Sequence, residues 1–283
     1  MLRALIGLAV LALMPPTGGF AETSSRVTGH ETGTQKAVGV RPDSETTIAR
    51  SAKGYALPDP GADGLHLPAT FRGKLPCADC DAIRYHLDLW PDGVFHLRRE
   101  WVGGRDHRGD FRADDIGRWR VDSAHNALIL QGVAGMPLQF EIKGPDRLLA
   151  LDIQGKPIQS DLPYELVSDG TLTPTDLTLL LSGELTYQGD SAHFTECLTG
   201  RSYAIAIEGA FPELTSAYLH AQKMPGAPLY VTFEGTLTDR PKTDGAGSER
   251  AVVVNRFIDA RPGTRCKRAV SSMPPSELRE QSR

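Results

Sequence analysis

Between residues 83 and 101 the chain alternates apolar and polar side chains almost without a break, and that period of two constrains the fold more than any other feature. Ile83-Arg-Tyr-His-Leu-Asp-Leu89 is one such run and Val94-Phe-His-Leu-Arg-Arg-Glu-Trp101 the next, with Pro91-Asp92-Gly93 between them. Successive side chains of a strand point to opposite faces, so each run reads as a strand with one apolar face, and the two together as a hairpin. The register follows from the pattern. A two-residue Asp-Gly turn would set Leu89 opposite His96 and Leu87 opposite Arg98, mixing the faces. A three-residue loop with Gly93 in the left-handed region pairs Leu89 with Phe95, Leu87 with Leu97 and Ile83 with Trp101. It also sets Asp88 opposite His96 and Arg84 opposite Glu100 on a solvent face, both favourable pairings. The three-residue loop is therefore expected.

From Leu65 onward, short apolar alternations separated by turn residues continue around Gly117 to Val121, Ala127 to Gln131, Leu138 to Ile142, Arg147 to Ile153 and Tyr164 to Val167. Turns are expected at Ser123 to Asn126, Gly144-Pro145 and Gln154-Gly155. Seven or eight short strands with no helix predict a small antiparallel barrel over 62–172. A junction is expected at Thr171 to Asp176. Beyond it, Leu179 to Tyr187, Ala192 to Cys197 and Ser202 to Ile207 read as three strands. Pro212 to Gln222 reads as a short helix with a stripe of Leu214, Ala217, Tyr218 and Ala221. Leu229 to Leu237 and Ala251 to Asp259 add two strands across a polar loop, Thr238 to Arg250. The order βββαββ is that of a five-stranded OB barrel over 173–270. The fold class is thus all-β, two small antiparallel barrels. OB folds often bind nucleic acid, but 173–270 carries 11 acidic against 10 basic residues and the whole chain has a formal charge of -4. Neither balance attracts a polyanion, so no nucleic acid partner is expected.

Met1 to Ala21 reads as a secretory signal, with a basic start, an apolar run from Ala4 to Met14 and the small-x-small pattern Gly19-Phe20-Ala21. Eleven apolar residues fall short of the roughly 20 that span a bilayer, so no membrane span is expected. The first cysteine is Cys77, which leaves no residue for a lipid anchor after the signal. Residues 22–61 are polar and nearly free of aromatics, as in a disordered tether, and 271–283 reads as a flexible tail. Export places the four cysteines in an oxidising compartment.

Cys77-Ala-Asp-Cys80 admits three readings: a small structural disulfide loop, a metal or redox site, and a thioredoxin-like catalyst. The last needs the motif at a helix N-terminus, whereas here Pro76 precedes it, a strand follows, and the flanking Asp79 and Asp81 disfavour a thiolate. Two thiolates at this spacing suit a soft ion such as Cu(I), and His86 and His96, on the outer face of the hairpin, are weaker candidate ligands. Copper stays a candidate ligand and not a required cofactor. Against it, the exported chain has only Met136, Met224 and Met273, and Leu75 stands where copper chaperones commonly carry Met. A bridge between Cys197 and Cys266 would close nearly the whole second unit. In the chain-entropy model such a loop is worth about 4 kcal/mol, against about 2 for a Cys77 to Cys80 ring. The long bridge would then be structural and the short one expendable. No G-x-S-x-G, H-E-x-x-H, P-loop or dinucleotide fingerprint is present, so no catalytic residues are assigned and no enzyme is expected.

Leu75-Pro-Cys-Ala-Asp-Cys80 leading into Ile83 to Leu89 and Pro91-Asp92-Gly93, with Gly155-Lys-Pro-Ile158 and Tyr164-Glu-Leu166, resembles the N-terminal domain of the NlpE family. Ala192-His-Phe-Thr-Glu-Cys-Leu-Thr-Gly-Arg201, the segment from Ala217-Tyr-Leu to Gly226-Ala-Pro228 and the closing Cys266 resemble that family's C-terminal OB domain. The resemblance covers roughly Leu65 to Cys266. It implies a lipocalin-like barrel followed by an OB barrel, the pairings Cys77 with Cys80 and Cys197 with Cys266, and a periplasmic role in copper resistance and envelope stress. It also implies a Cpx-type sensor histidine kinase as partner. Members of the family are typically outer-membrane lipoproteins, so sensing through failed lipoprotein trafficking is not expected here in that form. Two other readings compete: a lipocalin-like small-molecule carrier and a thiol oxidoreductase.

Overall fold

The computed structural model describes residues 61, 63–104, 111–133, 137–189, 191–221, 226–242 and 246–267. The expected signal at 1–21, the tether but for its last residue, and the tail at 271–283 lie outside the described residues.

The first barrel runs through β1 (Ala69–Leu75), β2 (Ala82–Leu89), β3 (Val94–Val102), β4 (Phe111–Asp122), β5 (Ala127–Gln131), β6 (Leu138–Gly144), β7 (Arg147–Ala150) and β8 (Glu165–Val167). Each strand pairs with its neighbours in sequence, and β1 pairs with β8 to close the barrel. The hairpin of β2 and β3 has the expected register: Leu89 faces Phe95, Leu87 faces Leu97 and Ile83 faces Trp101. Its loop is Pro91-Asp92-Gly93, closed by a hydrogen bond from the Trp90 amide to the Val94 carbonyl, and Gly93 has φ 78°. A side chain with a Cβ is strained at that angle, which explains glycine at this corner.

Inward positions interleave into one core. Phe71, Leu87, Leu89, Phe95, Leu97, Leu128, Phe140, Leu148 and Leu166 are all buried in it. Each such side chain contributes about 1.5–3 kcal/mol when fully buried. The interior is filled by the chain's own side chains, whereas a lipocalin-type carrier keeps an open lumen.

The second barrel consists of β9 (Leu177–Gln188), β10 (Ser191–Glu196), β11 (Ser202–Gly209), α1 (Phe211–Ala221), β12 (Leu229–Pro241) and β13 (Ser248–Arg261). The strand order β10-β11-β13-β12-β9 closes on itself, with β11 and β13 parallel, which is OB topology. α1 falls between the third and fourth strands, as the βββαββ order requires, and buries Leu214 and Tyr218 of its expected stripe. The core joins Phe194, Phe233, Leu181, Leu185, Val231 and Val252.

Several expectations need correction. A first strand, β1, precedes the hairpin although no strand was expected there. β4 begins at Phe111, ahead of Gly117, and β7 ends at Ala150, short of Ile153. The polar loop at Thr238 to Arg250 is shorter than expected, because Asp239, Arg240 and Pro241 pair with Arg250, Glu249 and Ser248 and extend both strands. The side chains of that ribbon are polar, those that are enclosed, such as Thr238 and Arg250, included, so no apolar alternation betrays it.

Candidate functional site: two disulfides and the seam between the barrels

Cys77 and Cys80 lie in the loop joining β1 to β2 and are bonded to one another, with Cα atoms 5.3 Å apart. Cys80 is buried, Cys77 half-buried, and Asp79 and Asp81 are exposed beside them. The Asp81 amide donates to the Val102 carbonyl at 2.9 Å, anchoring the loop to the end of β3. Cys197 follows β10 and is bonded to Cys266, five residues beyond β13, across 69 positions of sequence. Both sulfur-bearing residues are half-buried and border an open cleft of about 680 Å³. The Cys266 amide donates to Glu184 Oε1 at 2.9 Å, so the bridge and one hydrogen bond hold the segment after β13 against β9 and β10.

The turn that starts at Cys197 reaches the first barrel. Glu196 organises it, accepting from the Leu198 and Thr199 amides at 2.8 and 2.7 Å and from the Thr199 hydroxyl at 2.7 Å. The Thr199 carbonyl then accepts from Arg118 of β4 at 2.5 Å. Two residues on, Arg201 pairs with Asp92 at 2.6 Å and lies over the Trp90 ring, 4.8 Å from its centroid. One turn therefore carries both the long disulfide and polar contacts to the other barrel.

Across the seam, the outward side chains of β1 to β4 form cross-strand rows. Thr70, Asp88, His96 and Ile116 make the first row, and all four are buried. The Asp88–His96 pairing is as expected from sequence, but the solvent face assigned to it is corrected: the second barrel and the junction cover it. The Thr70 hydroxyl donates to Asp88 Oδ1 at 2.6 Å and accepts from the Thr173 amide at 2.8 Å. Ile116 packs into the core of the second barrel. The second row is Arg72, His86, Arg98 and Asp114. Arg98 grips Asp114 with two bonds, at 2.8 and 3.0 Å, and reaches the Thr175 hydroxyl at 2.9 Å and the Asp176 carbonyl. Asp114 also accepts from the Thr178 amide at 2.8 Å, so this pair ties β3 and β4 to the start of β9. Such two-pronged arginine–carboxylate contacts fix orientation as well as adding energy.

His96 is enclosed in the seam. Its Nε2 lies 3.3 Å from the Tyr203 hydroxyl, its ring packs 4.3 Å from that of Trp90, and Nδ1 has no hydrogen-bond partner among the described residues. Burial first, then the positive Arg250 and Arg201, hold its pKa well below the ordinary imidazole value. Burial likewise pushes the Tyr203 phenol up.

The expected metal ligands do not converge. The sulfurs of Cys77 and Cys80 are bonded to each other, His86 faces Asp88 Oδ1 at 3.2 Å and the Thr173 carbonyl at 3.1 Å, and His96 is enclosed in the seam rather than free on an outer face. No group of three or more His, Cys, Asp or Glu side chains placed to hold a metal occurs among the described residues. The donor set, with its disulfide closed, does not fit copper. Sequence reasoning missed Trp90, Arg98, Asp114, Arg118 and Arg201. Only Ile116, apolar at an outward position, signals that this face is covered.

These features define a class: a two-barrel, disulfide-bridged protein in which a meander barrel packs on an OB barrel. The comparisons agree with it. Residues 71–161 match the model of the NlpE N-terminal domain and residues 176–267 that of the NlpE C-terminal OB domain. The lipoprotein NlpE of Escherichia coli K12 is 33% identical over 189 residues, which is 66% of this chain and 76% of that protein. Among solved structures, the Cpx pathway activator NlpE from Escherichia coli is 28% identical, covering 71% of this chain and 98% of that one with a TM-score of 0.31. A putative lipoprotein from Shewanella oneidensis is also 28% identical, covering 40% of this chain and 98% of its own, with a TM-score of 0.33. The chain belongs to the NlpE family.

Proposed function

We propose that this protein is a non-enzymatic periplasmic sensor of envelope stress that signals toward a Cpx-type sensor histidine kinase, and that the Cys197–Cys266 bridge is its redox-responsive element. The observation that supports this most is the double duty of the turn at Cys197 to Arg201, which holds the long disulfide and also docks on the first barrel. With the bridge closed, the second barrel is tight and covers the row Thr70, Asp88, His96 and Ile116. When oxidative folding fails, the second barrel loses about 4 kcal/mol, the turn loosens, and that face of the first barrel becomes available to the kinase. The experiment is a Cpx-dependent reporter in cells carrying Cys266→Ala or the pair Cys77→Ala, Cys80→Ala. Cys266→Ala is expected to raise the reporter with the protein present at normal level. An unchanged reporter with Cys266→Ala would refute the assignment.

The copper reading belongs to the other pair. Cys77 is reachable and closes a ring of four residues, so reduction frees two thiolates without dismantling the barrel. Titration of the reduced protein with Cu(I) is expected to show binding that the Cys77→Ala, Cys80→Ala variant lacks, and equal binding by both proteins would end that reading.

A further inference from the structure

The outer face of the first barrel carries a second feature that neither disulfide uses. Below the rows at the seam lies a third one, Lys74, Arg84, Glu100 and Arg112, running across β1 to β4. Lys74 stands directly opposite Arg84, a like-charge cross-strand pair that destabilises a sheet unless something neutralises it. Glu100 does so weakly, since its carboxylate is 3.9 Å from Arg84, and among the described residues no ion pair is made by Lys74. Arg72, above Lys74, spends one nitrogen on the Thr173 carbonyl and hydroxyl and keeps the rest of its guanidinium exposed. Together with Thr175 of the junction and Arg98, these side chains line a cleft of about 430 Å³ between the sheet face and the junction. Arg98 is neutralised by Asp114, which leaves Arg72, Lys74 and Arg84 against Glu100 among the lining residues, with Asp169 outside the cleft also acting on Arg72. The cleft is thus cationic by about two charges on a chain whose formal charge is -4, a concentration the chain-wide balance conceals.

We infer that this cleft binds a phosphoryl oxyanion, either free phosphate or the phosphodiester of an envelope lipid. Two guanidinium groups and an ammonium supply forked and point-charge donors of the kind that hold tetrahedral oxyanions. An oxyanion seated among them would offset the Lys74–Arg84 repulsion. It would also lie against Arg72, which already grips the junction at Thr173, so its occupancy would strengthen the hold of the first barrel on the junction.

The test uses the full chain, with inorganic phosphate as the first probe against chloride at matched ionic strength and pH. Backbone amide NMR shifts at Lys74, Arg84 and Thr175 are expected to saturate with phosphate and not with chloride. Lys74→Glu with Arg84→Glu is expected to weaken phosphate binding by about tenfold or more, the range expected when charged donors are reversed. Because Lys74 and Arg84 are exposed, the fold should survive, and Lys74→Gln with Arg84→Gln serves as the milder variant if it does not. Vesicles containing phosphatidylglycerol form the second arm. Sedimentation with them that requires Lys74 and Arg84 identifies a lipid phosphate as the source, and phosphate binding without sedimentation identifies the free ion. Identical responses to phosphate and chloride, or phosphate binding that neither variant weakens, would overturn the inference.

Discussion

The two barrels close in different ways, and their disulfides differ accordingly. In the first, every strand from β1 to β8 pairs with its neighbour in sequence, so closure is assembled from hairpins and completed by the short β1–β8 contact. In the second, closure depends on the parallel pairing of β11 with β13, distant in sequence and interrupted between Ile205 and Gly209. Non-local pairing costs more chain entropy than hairpin formation. The bridge at 69 residues of separation restrains the segment following β13, where that cost falls, while the bridge at 3 residues restrains a loop that the β1–β2 ladder already defines. A disulfide is a structural member where topology is non-local and an accessory where it is local.

The largest expected effect follows from this contrast. Cys266→Ala should destabilise the second barrel by about 4 kcal/mol, read as an early calorimetric transition with the first barrel's transition little moved. Next comes the seam. Arg98→Ala strips Asp114 of its two-pronged partner and should cost about 3 kcal/mol of coupled stability, visible as the two barrels melting apart in denaturant. The pair Cys77→Ala, Cys80→Ala should cost about 2 kcal/mol or less in the first barrel and nothing in the second. Equal losses from the two disulfide variants would erase the distinction between local and non-local closure.

The smallest effect is a pH dependence of the seam. Facing His96 are Asp88 on β2, Arg201 just before β11, Tyr203 on β11 and Arg250 on β13, with Asp92 paired to Arg201. The docked form holds His96 neutral, whereas an undocked one returns it to its ordinary value near 6.5. The undocked form therefore takes up the proton that the docked form refuses. Docking is fully favoured above about pH 6.5 and weakens as the pH falls below it. Fluorescence of Trp90, whose ring packs against His96, should report this, and His96→Gln should flatten the profile.

Much of the fold is legible in the sequence because alternation tells which face of a strand points inward. The β2–β3 register and the βββαββ order both follow from it. What covers an outward face is not in the pattern, so Asp88 and His96 read as solvated although both are enclosed. Ile116 is the exception, an apolar side chain in an otherwise polar row. β1 escapes detection because Gly73 occupies one of its inward positions. There a Cβ would lie 2.3 Å from the Glu165 carbonyl oxygen, so the close approach of β8 demands a residue that carries no apolar signal. The cysteine pairs are legible as chemistry from their spacing and compartment. Their link to the seam is not, since it depends on where the turn at Cys197 to Arg201 meets the other barrel.

Amide hydrogen exchange on the full chain tests the coupling of the long bridge to the seam most directly. The account predicts that Cys266→Ala accelerates exchange at β11, at β13 and at the outward row of β3 and β4 around His96 and Ile116, while Cys77→Ala with Cys80→Ala leaves that row protected. Unchanged protection of His96 and Ile116 in the Cys266→Ala protein would contradict it.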